Sequence, residues 1–224
     1  MWYSGEPFVL KEIQLKVGYM IMKGSCENWT EYFPADKFSE SLYEEFESRA
    51  KNVSTEVYRI QSLGDAKKIV ADIISDVDAR KVSIAADPMI EESGIIDAIK
   101  AAGIACYTTK EDIAANRHDA DIGISRVEFG VAEFGGVCQN ATAIEDRLVS
   151  TLPPLHIAFM KSKYIVPGVE DALDIISRTF DSGYISWITG PSRTADIERV
   201  LTIGVHGPSR LIIIAVDDET GGNA

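Results

Sequence analysis

Cysteine is scarce in this chain: Cys26, Cys106 and Cys138 are the only three in 224 residues, and no two form a C-x-x-C pair. An odd and widely spaced set offers no disulfide framework, no zinc-ligand spacing and no ligands for an iron–sulfur cluster. It fits a reducing compartment, so the expected localisation is cytoplasmic. His118, His156 and His206 are likewise too far apart for a metal-ligand motif. No apolar run reaches the roughly 18 residues of a membrane-spanning helix. Met1–Val9 lacks a basic start followed by an apolar core, so no signal peptide is expected. Basic residues are in deficit, 22 Lys and Arg against 35 Asp and Glu, for a formal charge of −13. Without a local basic cluster, nucleic acid is not an expected partner. No G-x-S-x-G elbow surrounds a serine, and no G-x-G-x-x-G follows the early strands.

What remains is an ordinary globular composition, 46% hydrophobic and 25% charged. Residues 1–35 read as an extension, either a hairpin or arm or a start-site extension, because Gly18, Gly24 and Pro34 interrupt any long period. From Asp36 the pattern is regular. Phe38, Leu42, Phe46 and Ala50 recur every four residues, which predicts an amphipathic helix. Glu56–Ile60 alternates like a strand, a helix follows through Ile69, Ile73 and Ile74, and Val82–Ala86 is a short apolar strand. Ile95–Ala102 is helical up to Gly103, Ile104–Tyr107 is a strand, Glu111–Ala115 a short helix and Ala120–Ser125 another strand. Such alternation predicts an α/β fold with an open, mostly parallel sheet. Arg126–Ala132, Gly135–Gln139 and Leu155–Phe159 break the rhythm and read as a β-rich excursion. Helix Val169–Phe180 and strands Tyr184–Thr189 and Leu211–Val216 complete an α/β domain over residues 36–217, with a frayed tail at 218–224.

Two strings carry potential chemistry. Gly190-Pro-Ser-Arg-Thr-Ala-Asp-Ile-Glu198 follows the strand YISWIT, and Gly204-Val-His-Gly-Pro-Ser-Arg210 precedes LIIIAV. Loops beyond the carboxyl ends of parallel strands are where such sheets bind ligands. Gly190 and Gly207 allow close backbone approach, Ser192 and Thr194 supply hydroxyls, and Arg193 can hold an anion bidentately. The plainer alternative is a turn and helix cap, with Asp196 and Glu198 in the first helical turn. Ser192, His206 and Asp196 also permit a Ser–His–Asp arrangement on paper. A second constellation is Glu133, at the end of an apolar strand before Gly135-Gly136, with Arg147 as its expected partner. A carboxylate desolvated there would suit acid/base or nucleophilic work. His156 opens the strand LHIAF and reads first as a structural residue; His206, near glycines, is the better functional candidate.

These strings in this order resemble the LUD-domain family, the lactate-utilisation proteins of LutC/YkgG type. The matching stretches are ADIGIS at 120–125, Ala132–Gly135, Arg147 with LPPLHI at 152–157, ITGPSRTADIE at 188–198 and GVHGPSRL at 204–211. The resemblance implies a fold of the sugar-phosphate isomerase, CoA-transferase and formyltetrahydrofolate cyclo-ligase group. It also implies a part in oxidising L-lactate to pyruvate beside iron–sulfur oxidoreductase subunits. Lacking cluster cysteines, this chain resembles the cluster-free subunit, binding a small carboxylate or anionic cofactor. Catalytic roles then fall on Glu133 and His206, and anion binding on Gly190, Ser192, Arg193, Thr194, Asp196, Gly207, Arg147 and His156. The family's usual Ala-Glu-Thr-Gly-Thr reads Ala132-Glu133-Phe134-Gly135-Gly136 here, so two hydroxyls are missing. Two other readings stand beside this one: a stand-alone CoA-transferase-like or ligase-like enzyme acting through Glu133, and a non-catalytic scaffold. The cofactor is left unknown, and a homo-oligomer is allowed.

Overall fold

A computed structural model describes residue 30 and residues 33–179, 184–195 and 201–218. The N-terminal extension up to residue 29, Asp196 and Glu198, and the tail from residue 219 lie outside the described residues.

Helix α1 (Glu40–Asn52) starts where Ser39 accepts the Leu42 N–H at 3.2 Å, a side-chain N-cap. Its four-residue period buries Leu42, Tyr43, Phe46 and Ala50. Strand β1 (Glu56–Ser62) leads through a short turn into α2 (Ala66–Asp76), which buries Val70, Ile73 and Ile74. There follow β2 (Lys81–Ile84), α3 (Pro88–Glu92), α4 (Ile95–Ala101), β3 (Ala105–Tyr107), α5 (Lys110–Ala115) and β4 (Ile122–Arg126). The chain continues through β5 (Phe129–Val131), a single 3-10 turn (Ala132–Phe134), β6 (Gly136–Asn140) and α6 (Ile144–Thr151). Then come β7 (Leu155–Lys161), β8 (Ile165–Val166), α7 (Val169–Thr179), β9 (Ile185–Ile188), β10 (Arg193–Ala195), β11 (Leu201–Ile203) and β12 (Arg210–Asp218).

The main sheet has the order β1-β12-β7-β4-β2-β3, and every neighbouring pair is parallel. The expected open parallel sheet is therefore present. On one face, α2, α3 and α4 pack against Val82, Ile84, Ile122, Ile124, Ile157 and Ile212. On the other, α1 and a smaller sheet pack against Ala158, Met160, Leu211, Ile213 and Ala215. The smaller sheet runs β8-β5-β6-β9, with β5/β6 and β6/β9 antiparallel, and β10 and β11 form a separate antiparallel pair.

Two expectations are corrected. Leu155–Phe159 does not belong to the excursion: it is β7, near the middle of the main sheet between β12 and β4. Its unbroken apolar run is what burial on both faces requires. The excursion consists instead of β5, β6, β8 and β9. The second correction concerns the residues after Gly190-Pro-Ser, which enter strand β10 rather than a helical turn.

Candidate functional site

The two Gly-Pro-Ser-Arg strings meet, and Ser192 joins them. Its N–H donates to the Pro208 carbonyl at 2.8 Å, its carbonyl accepts the Gly204 N–H at 2.9 Å, and its hydroxyl accepts the His206 N–H at 3.3 Å. This lacing holds residues 192–195 extended against 201–204. The second string is anchored in turn by Pro154, whose carbonyl accepts the N–H groups of Ser209 and Arg210. Val53, Pro154 and Gly204–Ser209 all precede main-sheet strands, so the strings lie at the amino edge of that sheet and not at its carboxyl edge as expected.

Between the strings and two helix ends lies an open cleft of about 480 Å³. Gly190, Ser192 and Arg193 line one side, His206, Gly207 and Pro208 another, and Ser150, Thr151, Trp187 and Val53 complete it. Gly190 has φ +65°, and a Cβ there would stand 2.4 Å from the Val53 carbonyl oxygen, so glycine alone lets this loop touch the end of α1. Arg193 is exposed, and its guanidinium donates to Val53 O at 3.1 Å and to Ser54 Oγ at 2.6 Å. One nitrogen of its fork thus closes the C-terminal end of α1, where a cation is favoured. The remaining donors are what it can offer an anion.

The structure brings Gly190, Ser192, Arg193, His206 and Gly207 together. Thr194 follows in β10, opposite Thr202 of β11. Asp196 lies outside the described residues, and the Ser192 hydroxyl is bonded to the His206 main chain rather than its imidazole. No Ser–His pair of the catalytic kind is formed there.

The other candidates lie elsewhere. Glu133 is exposed, not desolvated. Its Oε2 accepts the Val169 N–H at 2.9 Å, so the carboxylate caps the positive end of α7. It lines a different cleft, with Glu45, Arg49, Pro167 and Asp171. Arg147 is not its partner: the Arg147 guanidinium sits over the Tyr184 ring, 4.6 Å from the centroid. His156 is fully buried, and its Nε2 shares a 2.9 Å hydrogen bond with Ser125 Oγ. Burial lowers its pKa to about 4, which keeps it a neutral core residue out of reach of ligand. Arg210, the arginine of the second string, is engaged by Glu56 and Asp76.

Sequence reasoning missed the floor of the cleft. Ser150 and Thr151 end α6, a helix not expected from the sequence, and its close approach is recorded at Gly123, where a Cβ would lie 2.0 Å from the Val149 carbonyl. Its apolar residues give little periodic signal, because Ile144 faces solvent and the helix buries only Val149 and Ser150.

Known proteins agree with this architecture. A DUF162 family protein from Deinococcus radiodurans, solved as a crystal structure, superposes with a TM-score of 0.57 at 21% identity, over 79% of this chain and 96% of that one. Lactate utilization protein C of Halalkalibacterium halodurans is 30% identical over 159 residues, 68% of this chain and 69% of the relative. Lactate utilization protein C of Bacillus subtilis is 38% identical over 113 residues, so the match spans about half of each chain, 48% and 47%. An uncharacterized protein, YkgG, of Escherichia coli is 28% identical over 182 residues, 78% of this chain and 73% of that protein. The family model for the LUD domain matches residues 43–216, which include both Gly-Pro-Ser-Arg strings and the whole main sheet but for the last two residues of β12, and the chain belongs to the LUD-domain family.

Proposed function

We propose that this chain is a cluster-free subunit of an L-lactate utilisation system in the cytoplasm, and that it binds a small carboxylate or anionic cofactor in the amino-edge cleft. The relatives named for lactate utilisation support the process. The observation that carries the site is the lacing of the two strings through Ser192, which presents Arg193 and His206 on one open cleft. Arg193 supplies the charge and its unspent donors, His206 a polar ring, and Ser150 and Thr151 hydroxyl-bearing residues across the gap. Electrons of the oxidation travel through iron–sulfur partner subunits. Trp187 on the cleft wall is exposed, as are Tyr184, Ile203 and Val205 in adjoining segments of the chain, apolar surface suited to docking such a partner. The transferase-like reading receives no support, because the Glu133 carboxylate is occupied at the start of α7.

Calorimetric titration of L-lactate and pyruvate tests the proposal. Saturable binding is expected, weakened about tenfold by either Arg193→Ala or His206→Ala, the loss of a charge-assisted hydrogen bond. Binding that both variants retain unchanged removes the cleft from the mechanism.

A further inference from the structure

Helices α2 and α4 pack on the face of the main sheet away from the smaller sheet, and they contribute nothing to the amino-edge cleft. Between them lies a hollow of about 130 Å³, more enclosed than that cleft. Its floor is aliphatic: Val70 and Ile74 of α2, Ile95 and Ile99 of α4, and Ile104 just before β3. The first four are buried parts of the core, so the floor is fixed by the packing of the sheet itself. Its walls are small residues one turn apart, Ala71 and Ser75 on α2, Ala98 and Ala102 at α4 and its end. Residues four apart share a helix face, so each small pair leaves a gap along its helix that larger side chains would fill.

Among the described residues that line the hollow, Lys67 alone is charged, and no carboxylate joins it there in a chain of formal charge −13. The Lys67 Cε and Nζ lie 2.7 and 2.8 Å from where a Cβ on Gly94 would stand, so the side chain reaches from α2 across to the start of α4. Gly94, at φ +68°, has no side chain to bar that path. Lys67 has no carboxylate partner among the described residues. The hollow therefore pairs an apolar interior with one uncompensated cation at its rim. None of the large apolar side chains exposed among the described residues lines it. A protein partner would find no apolar collar around it, and a stable interface needs an apolar core far wider than this hollow.

We propose that this hollow is a second ligand site, which takes a small aliphatic monocarboxylate with its chain on the isoleucine floor and its carboxylate at Lys67. Ligand sites are concave and largely apolar, with a few polar groups that fix orientation. An apolar cavity of about 150 Å³ accepts benzene, so this one suits a body of about five or six carbons. Affinity comes from the alkyl surface removed from water, and Lys67, which is exposed, adds orientation and a modest attraction. Lactate is a poor occupant, because its hydroxyl would lie against isoleucine side chains without a hydrogen-bond partner. The site is thus separate from the lactate reading in place and in ligand.

The experiment is titration of hexanoate into the full chain with carbon-13 in its isoleucine methyl groups, followed by NMR. Saturable shifts are expected at Ile74, Ile95, Ile99 and Ile104. Affinity should fall about fourfold for each methylene removed on going to pentanoate and butanoate. Lys67→Gln should weaken hexanoate about threefold and leave the uncharged hexanamide unchanged. Ala98→Phe places a ring in the gap and should abolish binding of both. If Ala98→Phe fails to fold by circular dichroism, Ala71→Leu narrows the same gap from α2 and should weaken hexanoate at least tenfold. The site is overturned if these four methyl groups show no saturable shift, if a folded Ala98→Phe or Ala71→Leu variant keeps wild-type affinity, or if Lys67→Gln affects hexanoate and hexanamide alike. A dimer in sedimentation that Ala98→Phe dissociates would mean that a second copy covers the hollow, and would overturn the ligand site as well. Binding of lactate or pyruvate in the amino-edge cleft is lost in Arg193→Ala and His206→Ala, which should leave hexanoate binding intact, so either site can fail without the other.

Discussion

At the scale of single residues, Phe134 and Gly136 act as one substitution. A Cβ on Gly136 would stand 2.2 Å from the Phe134 ring, which also lies 5.7 Å, centroid to centroid, from Trp187. The ring fills the volume that a side chain at 136 would occupy, so the two departures from the family's Thr-Gly-Thr compensate each other. Gly136→Thr alone should cost about 2–3 kcal/mol through overpacking. Adding Phe134→Thr should recover part of that loss, the Ile188 carbonyl oxygen still standing 2.9 Å from the same Cβ, and a double-mutant cycle by urea unfolding should give a coupling above about 1 kcal/mol. Residue types were legible in the sequence here, but their contacts were not. Arg193 reads as an anion clamp from its neighbours in the string. Its hydrogen-bond partners Val53 and Ser54 are about 140 positions away, beyond any local pattern.

Among elements, the period-based readings held where burial alone decides. The four-residue stripe of α1 and the apolar runs of β4 and β12 are examples, because one or both faces had to be apolar. Where partners decide, the sequence was silent. The short strand β10 exists because Ser192 laces it to the segment before β12, and Gly-Pro-Ser by itself is equally compatible with a helix cap. Glu133 shows the same limit. Its place before two glycines suggested a reactive carboxylate, whereas in the structure it is exposed and accepts the N–H that opens α7. Glu133→Ala should therefore lower the unfolding free energy by about 1 kcal/mol, the worth of a helix N-terminal acceptor. It should leave ligand affinity where it was, as denaturant melts and calorimetry on the same variant can check.

Across the whole molecule, buried ionisable groups pull the pH dependence of stability in opposite directions. His156 has a folded pKa of about 4, below its unfolded value of about 6.5. Its contribution is complete above pH 6.5 and is lost as pH falls toward 4, up to about 3 kcal/mol. Glu128 and Asp146 are raised, so their contributions are present at low pH and lost as pH climbs through about 7 and about 6. With two carboxyls raised against one imidazole lowered, stability should fall as pH rises from 5 to 7, which urea melts at the two pH values check. One imidazole carbon resonance, absent in His156→Gln, should stay that of the neutral ring to below pH 5; a midpoint near 6.5 for that resonance would refute its burial. The order of the sheet has a further consequence for biosynthesis. Strand β12 is the last of the described strands, yet it lies between β1 and β7 and pairs with both. A nascent chain emerging from the ribosome therefore cannot dock β1 in the sheet until β12 has been translated. Until then β1, the edge strand of the sheet, waits without its one neighbour, and a transcript cut short before Arg210 would leave β1 and β7 as open, aggregation-prone edges.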